Sequence, residues 1–281
     1  METQDIMANE YLAKPSGTCC LTGHLHTGTP LGTFQRIANV NTYVTHPPPS
    51  KANGHIVLYY ADVFGMFTNG LLVMDGFAEA GYLTVGLDYF SGDSVEHHRT
   101  NNAWTDTTQT FEEWVAKYTV FADRHVPAWI AAIKAQFGKS DTKYACVGYC
   151  FGAPYVCESL APSSGNGKPA CAAGAFAHPA FLKEPHFRNL QAPLFLSCAE
   201  TDPTFGTADR NRAIDMLKAD GKDYQLQLFA KVKHGFALRC NLDDPYERMV
   251  KEKSLSGIVG WLDFWLGVSG EKEGGARAAN L

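Results

Sequence analysis

Six short apolar runs, separated by amphipathic segments, recur from residue 54 onward, and this alternation most constrains the fold. The runs are HIVLYY (55–60), YLTVGL (82–87), YACVGY (144–149), CAAGAF (171–176), LFLSC (194–198) and YQLQLF (224–229). Most are apolar throughout, as strands covered on both faces must be. The pattern predicts an α/β protein with a mostly parallel central sheet and helices on both faces. Leu71, Met74 and Ala78 before Gly81, and Ala213, Ile214 and Leu217 before Gly221, recur at helical spacing and end on a residue suited to a helix stop. A longer helix is expected through Ala122, Val126, Trp129, Ile130 and Ile133 with a kink at Pro127, and a last one through Leu255, Ile258, Val259, Leu262, Trp265 and Leu266.

The alternation defines one domain over 35–267. A Gly/Thr/Pro-rich N-terminal extension (1–34) precedes it, and a flexible tail (268–281) follows. The extended run Ile37–Val44 is expected to add an antiparallel edge strand, and residues 90–113 read as a polar insertion. With 24 basic and 29 acidic residues and a net charge of -5, the chain carries no electrostatic footprint for nucleic acid or an anionic membrane. No apolar run approaches the roughly 18 residues of a bilayer span, and the first residues lack a signal-peptide pattern. A cytoplasmic protein is expected, monomeric or homodimeric, with a small-molecule partner. The eight cysteines are read as free thiols.

The chemistry concentrates in KYACVGYCFGAPYV (143–156), where a strand runs into Cys150 between Gly148 and Gly152 and then into a helix. G-x-C-x-G is the nucleophile elbow with cysteine at the serine position; the glycines let strand and helix approach while the turn lifts the nucleophile. The helix N-terminus should lower the thiol pKa, and the Phe151 N–H should face a tetrahedral oxyanion. The competing reading is a small inert cysteine between packing glycines. A thiol needs a base and an orienting acid, and both follow in the expected order: Asp202 in T-D-P after one strand and His234 in H-G-F after another. Asp202 is also explicable as a turn residue, with Glu200 a neighbouring alternative, and His234 as a surface loop histidine.

Together the motifs G-Y-C-F-G-A, T-D-P, H-G-F-A and Y-Y-A-D-V-F-G, in this order, resemble the dienelactone hydrolase family over residues 35–267, and CCLTGHLHTGTPLG is similar to the fungal version of that family. The resemblance implies an α/β-hydrolase fold. It also implies that Asp62, where the family usually has glutamate, pairs with the resting thiol, and that the Val63 N–H is a second oxyanion donor. The family's substrate-holding arginine falls at Leu238 here, with Arg239 one residue later, and Arg99 lies well upstream of the other arginine's place. Dienelactone itself is therefore disfavoured relative to a larger or less acidic substrate. Phe90, Trp104, Trp114, His178, Phe205 and Phe236 are candidate pocket walls, each equally explicable as core, and Arg239 a candidate substrate contact.

No phosphate loop, dinucleotide fingerprint or H-E-x-x-H occurs, so no cofactor is implied. Cys19 and Cys20 with His24 and His26 match no zinc spacing, and no metal is expected. The function expected is a cysteine-dependent hydrolase of esters or lactones working through an acyl-enzyme. Alternatives are a thioesterase or acyltransferase acting on a polyketide-like acyl thioester, a catalytically silent small-ligand-binding fold, and a redox-sensing thiol. For the last, the nearest partners in sequence, Cys146 and Cys157, fall on a buried strand and a helix.

Overall fold

The computed structural model describes residues 11–163 and 165–268. The expected tail from 269 onward and the first ten residues of the extension lie outside them. The strands are β1 (Tyr11–Ala13), β2 (Thr33–Ile37), β3 (Val40–Thr45), β4 (Ile56–Tyr60), β5 (Leu83–Leu87), β6 (Arg99–Thr100), β7 (Ala103–Trp104), β8 (Tyr144–Tyr149), β9 (Ala173–Ala177), β10 (Leu182–Lys183), β11 (Leu194–Thr201) and β12 (Tyr224–Lys233). The helices are α1 (Thr68–Glu79), α2 (Phe111–Phe137), α3 (Ala153–Leu160), α4 (Glu184–Arg188), α5 (Thr207–Ala219), α6 (Phe236–Arg239) and α7 (Pro245–Leu266).

Eight strands form one sheet in the order β12-β11-β9-β8-β4-β5-β3-β2. The six from β12 to β5 pair in parallel, and β3 and β2 add antiparallel at one edge. Strands β4, β8 and β9 are buried at nearly every residue, which is why their sequences show no alternation. Helix α3 packs on β8 and β9, α1 on β5, and α7 on β9, β11 and β12. Strands β4, β8, β11 and β12 run the same way, so the loops at their C-terminal ends converge, the usual place for a site on an open parallel sheet.

Three expectations change. The run Ile37–Val44 is not one strand: Ala38 (φ 49°) and Asn39 (φ 63°) take left-handed backbone and close a two-residue hairpin between β2 and β3. The 90–113 insertion is structured. It holds a 3-10 turn at Val95–His97 and the hairpin β6/β7, and His98 sits between Asp93 (2.6 Å) and Asp106 (2.8 Å). Helices α2 and α7 begin well before their apolar periodicity. Thr110 and Glu113 form a reciprocal capping box on α2, and the Asp244 carboxylate takes the Tyr246 and Glu247 N–H groups of α7. Pro127 lies inside α2.

The N-terminal extension crosses this site end. Strand β1 pairs antiparallel with β10, Cys20 closes a 3-10 turn on Gly17, and residues 22–32 run over the loops after β4 and β12. Among the described residues no helix is long and apolar enough to cross a membrane.

Candidate active site

Strand β8 delivers Cys150 into a turn that only a constrained backbone can make: Cys150 has φ 49°, in the region L-residues avoid. The two glycines are required by space. A Cβ on Gly148 would stand 2.5 Å from the Gly152 carbonyl oxygen, and one on Gly152 would stand 2.3 Å from that of Tyr60. The Cys150 carbonyl accepts the Ala180 N–H (3.1 Å), tying the elbow to the loop after β9.

The candidate acid and base, Asp202 and His234, meet it from β11 and β12. Asp202 follows β11 directly, and its Oδ1 accepts the Thr204 N–H (2.9 Å) and lies 2.7 Å from the Thr204 hydroxyl. His234 follows β12, and its Nδ1 is 2.9 Å and 3.0 Å from the two Asp202 oxygens. This leaves Nε2 facing the elbow. Burial pushes Asp202 up, but His234 and the Thr204 donors outweigh it and hold the carboxyl below its ordinary value. Burial pushes His234 down, yet the Cys20 thiolate and Asp202 beside it prevail and raise it to about 10.

The second sulfur was not foreseen. Cys20 Sγ sits 3.4 Å from Cys150 Sγ and 3.4 Å from His234 Nε2, and the three donor atoms lie within 4.8 Å of one another. No direct Cys150–His234 hydrogen bond forms among the described residues; Cys20 bridges them. Hydrogen bonds from Cys150 and Cys19 and the His234 charge pull the Cys20 thiol well below its ordinary value, against burial. Cys150 goes the other way: burial and the Cys20 contact push it well up. The expectation that the helix end lowers the Cys150 pKa is thus corrected. Complete burial outweighs the dipole of a helix only eight residues long.

Cys20 is held by a strap whose anchors are polar and scattered. The Leu21 carbonyl takes Arg99 Nη1 (2.7 Å), the Thr22 carbonyl takes Arg239 Nε (2.8 Å), and the His24 N–H reaches the Arg239 carbonyl (3.0 Å). Asn69, buried, accepts the His26 N–H (2.8 Å) and donates to the His24 and Leu238 carbonyls (2.9 Å each). The double cysteine in CCLTGHLH was the only local signal. Its chemistry appears only through contacts more than a hundred residues apart along the chain.

Asp62 does not pair with the resting thiol. Its Oδ2 is in an ion pair with Arg239 Nη1, and its Oδ1 takes the Phe64 N–H (3.0 Å), so both oxygens are engaged. Arg239, the expected substrate contact, is buried, ion-paired with Asp62 and stacked over Phe64 (4.5 Å), while its Nη2 has no hydrogen-bond partner among the described residues. Val63 follows in the same turn. Its buried N–H meets no acceptor among the described residues, an uncommon condition for a buried amide and the one an oxyanion donor needs. Phe151, the other expected donor, begins the turn after the nucleophile, within the 3-10 segment Cys150–Gly152.

Three candidate walls, Phe90, Trp114 and Phe205, are buried in the core, and Trp104 is half-buried against it. Phe90 stacks on Trp114 (4.8 Å), Trp104 on His98 (5.0 Å) and Phe205 on Phe187 (6.4 Å), and these rings fill the space beneath the insertion and beside α4. His178 and Phe236 do border the site: the His178 ring lies 5.0 Å from His234 and 5.7 Å from Phe236. Burial and the His234 charge push the His178 pKa well down, and neither of its ring nitrogens has a hydrogen-bond partner among the described residues. Of the N-terminal histidines, His26 is taken by the Cys240 carbonyl (2.9 Å), so the set of possible metal donors is Cys20, Cys150 and His234.

A largely parallel eight-stranded sheet with a strained nucleophile elbow and an acid–base pair at its strand ends is an α/β-hydrolase fold. Residues 40–265 match the dienelactone hydrolase family, and the chain belongs to it. Dienlactone hydrolase 1 of Gibberella moniliformis is 40% identical over 256 residues, covering 91% of this chain and 96% of its own. Hydrolase pyvD of Aspergillus violaceofuscus is 30% identical, with 90% and 98% covered. A dienelactone hydrolase-like promiscuous phosphotriesterase from metagenomic libraries superposes with a TM-score of 0.58 at 14% identity, over 83% of this chain and 98% of its own, a likeness of fold. Membership makes the chain a hydrolase acting on ester or lactone bonds.

Proposed function

We propose that the chain hydrolyses a small ester or lactone through a Cys150 acyl-enzyme, with His234 as acid and base and Asp202 orienting it. The observation that carries this reading is the left-handed Cys150 turn between two sterically obligatory glycines, facing the buried Asp202–His234 pair. At rest His234 holds the proton and Cys20 the charge. When substrate displaces the strap, Cys20 leaves as a neutral thiol, taking the proton from His234 and returning it to the basic form. His234 Nε2 then accepts the Cys150 proton as the sulfur attacks the carbonyl. The Val63 and Phe151 N–H groups stabilise the oxyanion, the leaving alkoxide takes the proton from His234, and water activated by the same imidazole releases the acid.

The Asp62–Arg239 and Glu96–Arg99 pairs support a substrate without a carboxylate on its acyl part, because both guanidinium groups near the strap already have a carboxylate partner. Eight free thiols suit a reducing cytoplasm. The test is hydrolysis of neutral aryl and alkyl esters and lactones beside carboxylate-bearing analogues, in wild type and Cys150→Ala. Turnover of the neutral set that vanishes in the variant supports the reading. Preference for the carboxylates, or turnover that survives in the variant, removes it.

A further inference from the structure

We propose that Cys20 and Cys150 form a reversible oxidative modification site, which a hydroperoxide converts into a disulfide that locks the strap across the active site. The pair is separated by 130 residues in sequence, yet the two sulfurs are 3.4 Å apart, so a bond of about 2.05 Å requires them to close by only about 1.4 Å. Cys20 lies on the hydrogen-bonded strap and Cys150 on the sheet-bound elbow, so a bond between them joins the strap covalently to the sheet.

Chemistry favours this pair over the other thiols. Burial pushes Cys146, Cys157 and Cys198 up, where they are protonated and unreactive, and Cys146 Sγ turns toward the Val156 and Ala173 carbonyls rather than toward the elbow. Cys20 alone combines an imidazolium neighbour, a thiol neighbour and a place in a short turn without sheet pairing. A cavity of about 190 Å³, bordered by Thr22, Gly23, His24 and His234, opens beside the cluster at His234, and the strap that covers the two buried sulfurs forms part of its wall.

The steps balance. The Cys20 thiolate attacks one peroxide oxygen; an S–O bond forms, the O–O bond breaks, and the departing hydroxide or alkoxide takes the proton of His234 and leaves as water or an alcohol, so sulfur loses two electrons and the peroxide gains them. The Cys150 thiol then attacks the Cys20 sulfenic acid; an S–S bond forms, the S–O bond breaks, and the oxygen leaves as water with the Cys150 proton. A dithiol reverses the change by exchange, returning two electrons and freeing both sulfurs. The cross-link rests on the close sulfur pair and on His234 beside Cys20, and its effect on turnover rests on the proposed function, in which Cys150 is the nucleophile.

The test treats the full chain with hydrogen peroxide, quenches with N-ethylmaleimide and maps peptides without reduction. Expected is a linked pair carrying Cys20 and Cys150, two hydrogens lighter than its parts, with ester hydrolysis lost in step and restored by dithiothreitol. Cys19→Ser keeps the link. Cys20→Ser abolishes it, and peroxide then inactivates in a way dithiothreitol no longer reverses, because Cys150 has no resolving thiol. A Cys19–Cys20 link, or Cys150 sulfinic acid with Cys20 still free in the wild type, overturns the proposal. A Cys20–Cys150 link that leaves hydrolysis undiminished keeps the modification site and overturns Cys150 as nucleophile.

Discussion

The elbow and the strap bring two sulfurs to one point by opposite means. Cys150 is fixed by the β4/β8/β9 ladder and by two glycines that leave no room for a methyl group, so its position is a property of the core. Cys20 is fixed by side-chain and carbonyl hydrogen bonds from Arg99, Arg239 and Asn69 to a segment with little regular structure. The first arrangement cannot change without unfolding the sheet, whereas the second opens by breaking a few bonds, each worth about 1 kcal/mol net. On the proposed mechanism this difference places the nucleophile on the sheet-bound part and leaves access to it with the hydrogen-bonded strap.

Removing the rigid side's sulfur is the largest break. Cys150→Ala is expected to lower kcat/KM by at least about 10⁴-fold, measured on a neutral ester, with the thermal transition retained. Asp202→Asn, which loosens the His234 tautomer and orientation, should cost about 10³-fold in the same assay, chiefly in kcat. Gly152→Ala attacks the scaffold instead. Its Cβ meets the Tyr60 backbone, and urea unfolding should show a loss of about 3 kcal/mol.

Asn69→Ala sharpens the comparison from the strap side, since it removes three hydrogen bonds to the strap and to Leu238 while leaving the elbow untouched. Opening made easier by about 1.4 kcal/mol quickens alkylation of Cys20 and Cys150 about tenfold. Mass spectrometry of the labelled peptides checks it, together with faster hydrogen exchange confined to residues 19–32.

The smallest effect is in pH. Asp202 is held below its ordinary value, so its stabilisation is present above about 3.9 and is lost as pH falls through the lower folded value. The stability gap between wild type and Asp202→Asn should therefore be level near neutrality and shrink in strong acid. His234, raised to about 10, has the opposite sign. Its stabilisation is full below about 6.5 and is lost as pH rises through about 10, so wild type should lose its lead over His234→Gln in strong alkali.

The same division explains what could be read in advance. The buried parallel strands announce themselves because both their faces are apolar, and the elbow because its glycine spacing is a steric requirement. The starts of α2 and α7 were less legible: their first turns carry Glu112, Glu113 and Glu247, which cap and solvate the helix but add nothing to an apolar period. Asp62 misled because its partner, Arg239, is 177 residues away, and the Cys20 contacts span 130 and 214 residues. Local pattern reports what a residue does within its own element. It is silent on which distant side chain reaches it once the sheet has assembled.

The most direct test of the nucleophile's identity is to trap the acyl-enzyme. The chain is mixed with a slowly deacylating aryl ester, quenched in acid and digested, and the acyl mass is located on the peptides. Expected is a single adduct on the peptide carrying Cys150, absent from Cys150→Ala and diminished in His234→Ala. An adduct on the Cys20 peptide instead, or undiminished hydrolysis by Cys150→Ala, would contradict the assignment of Cys150 as nucleophile.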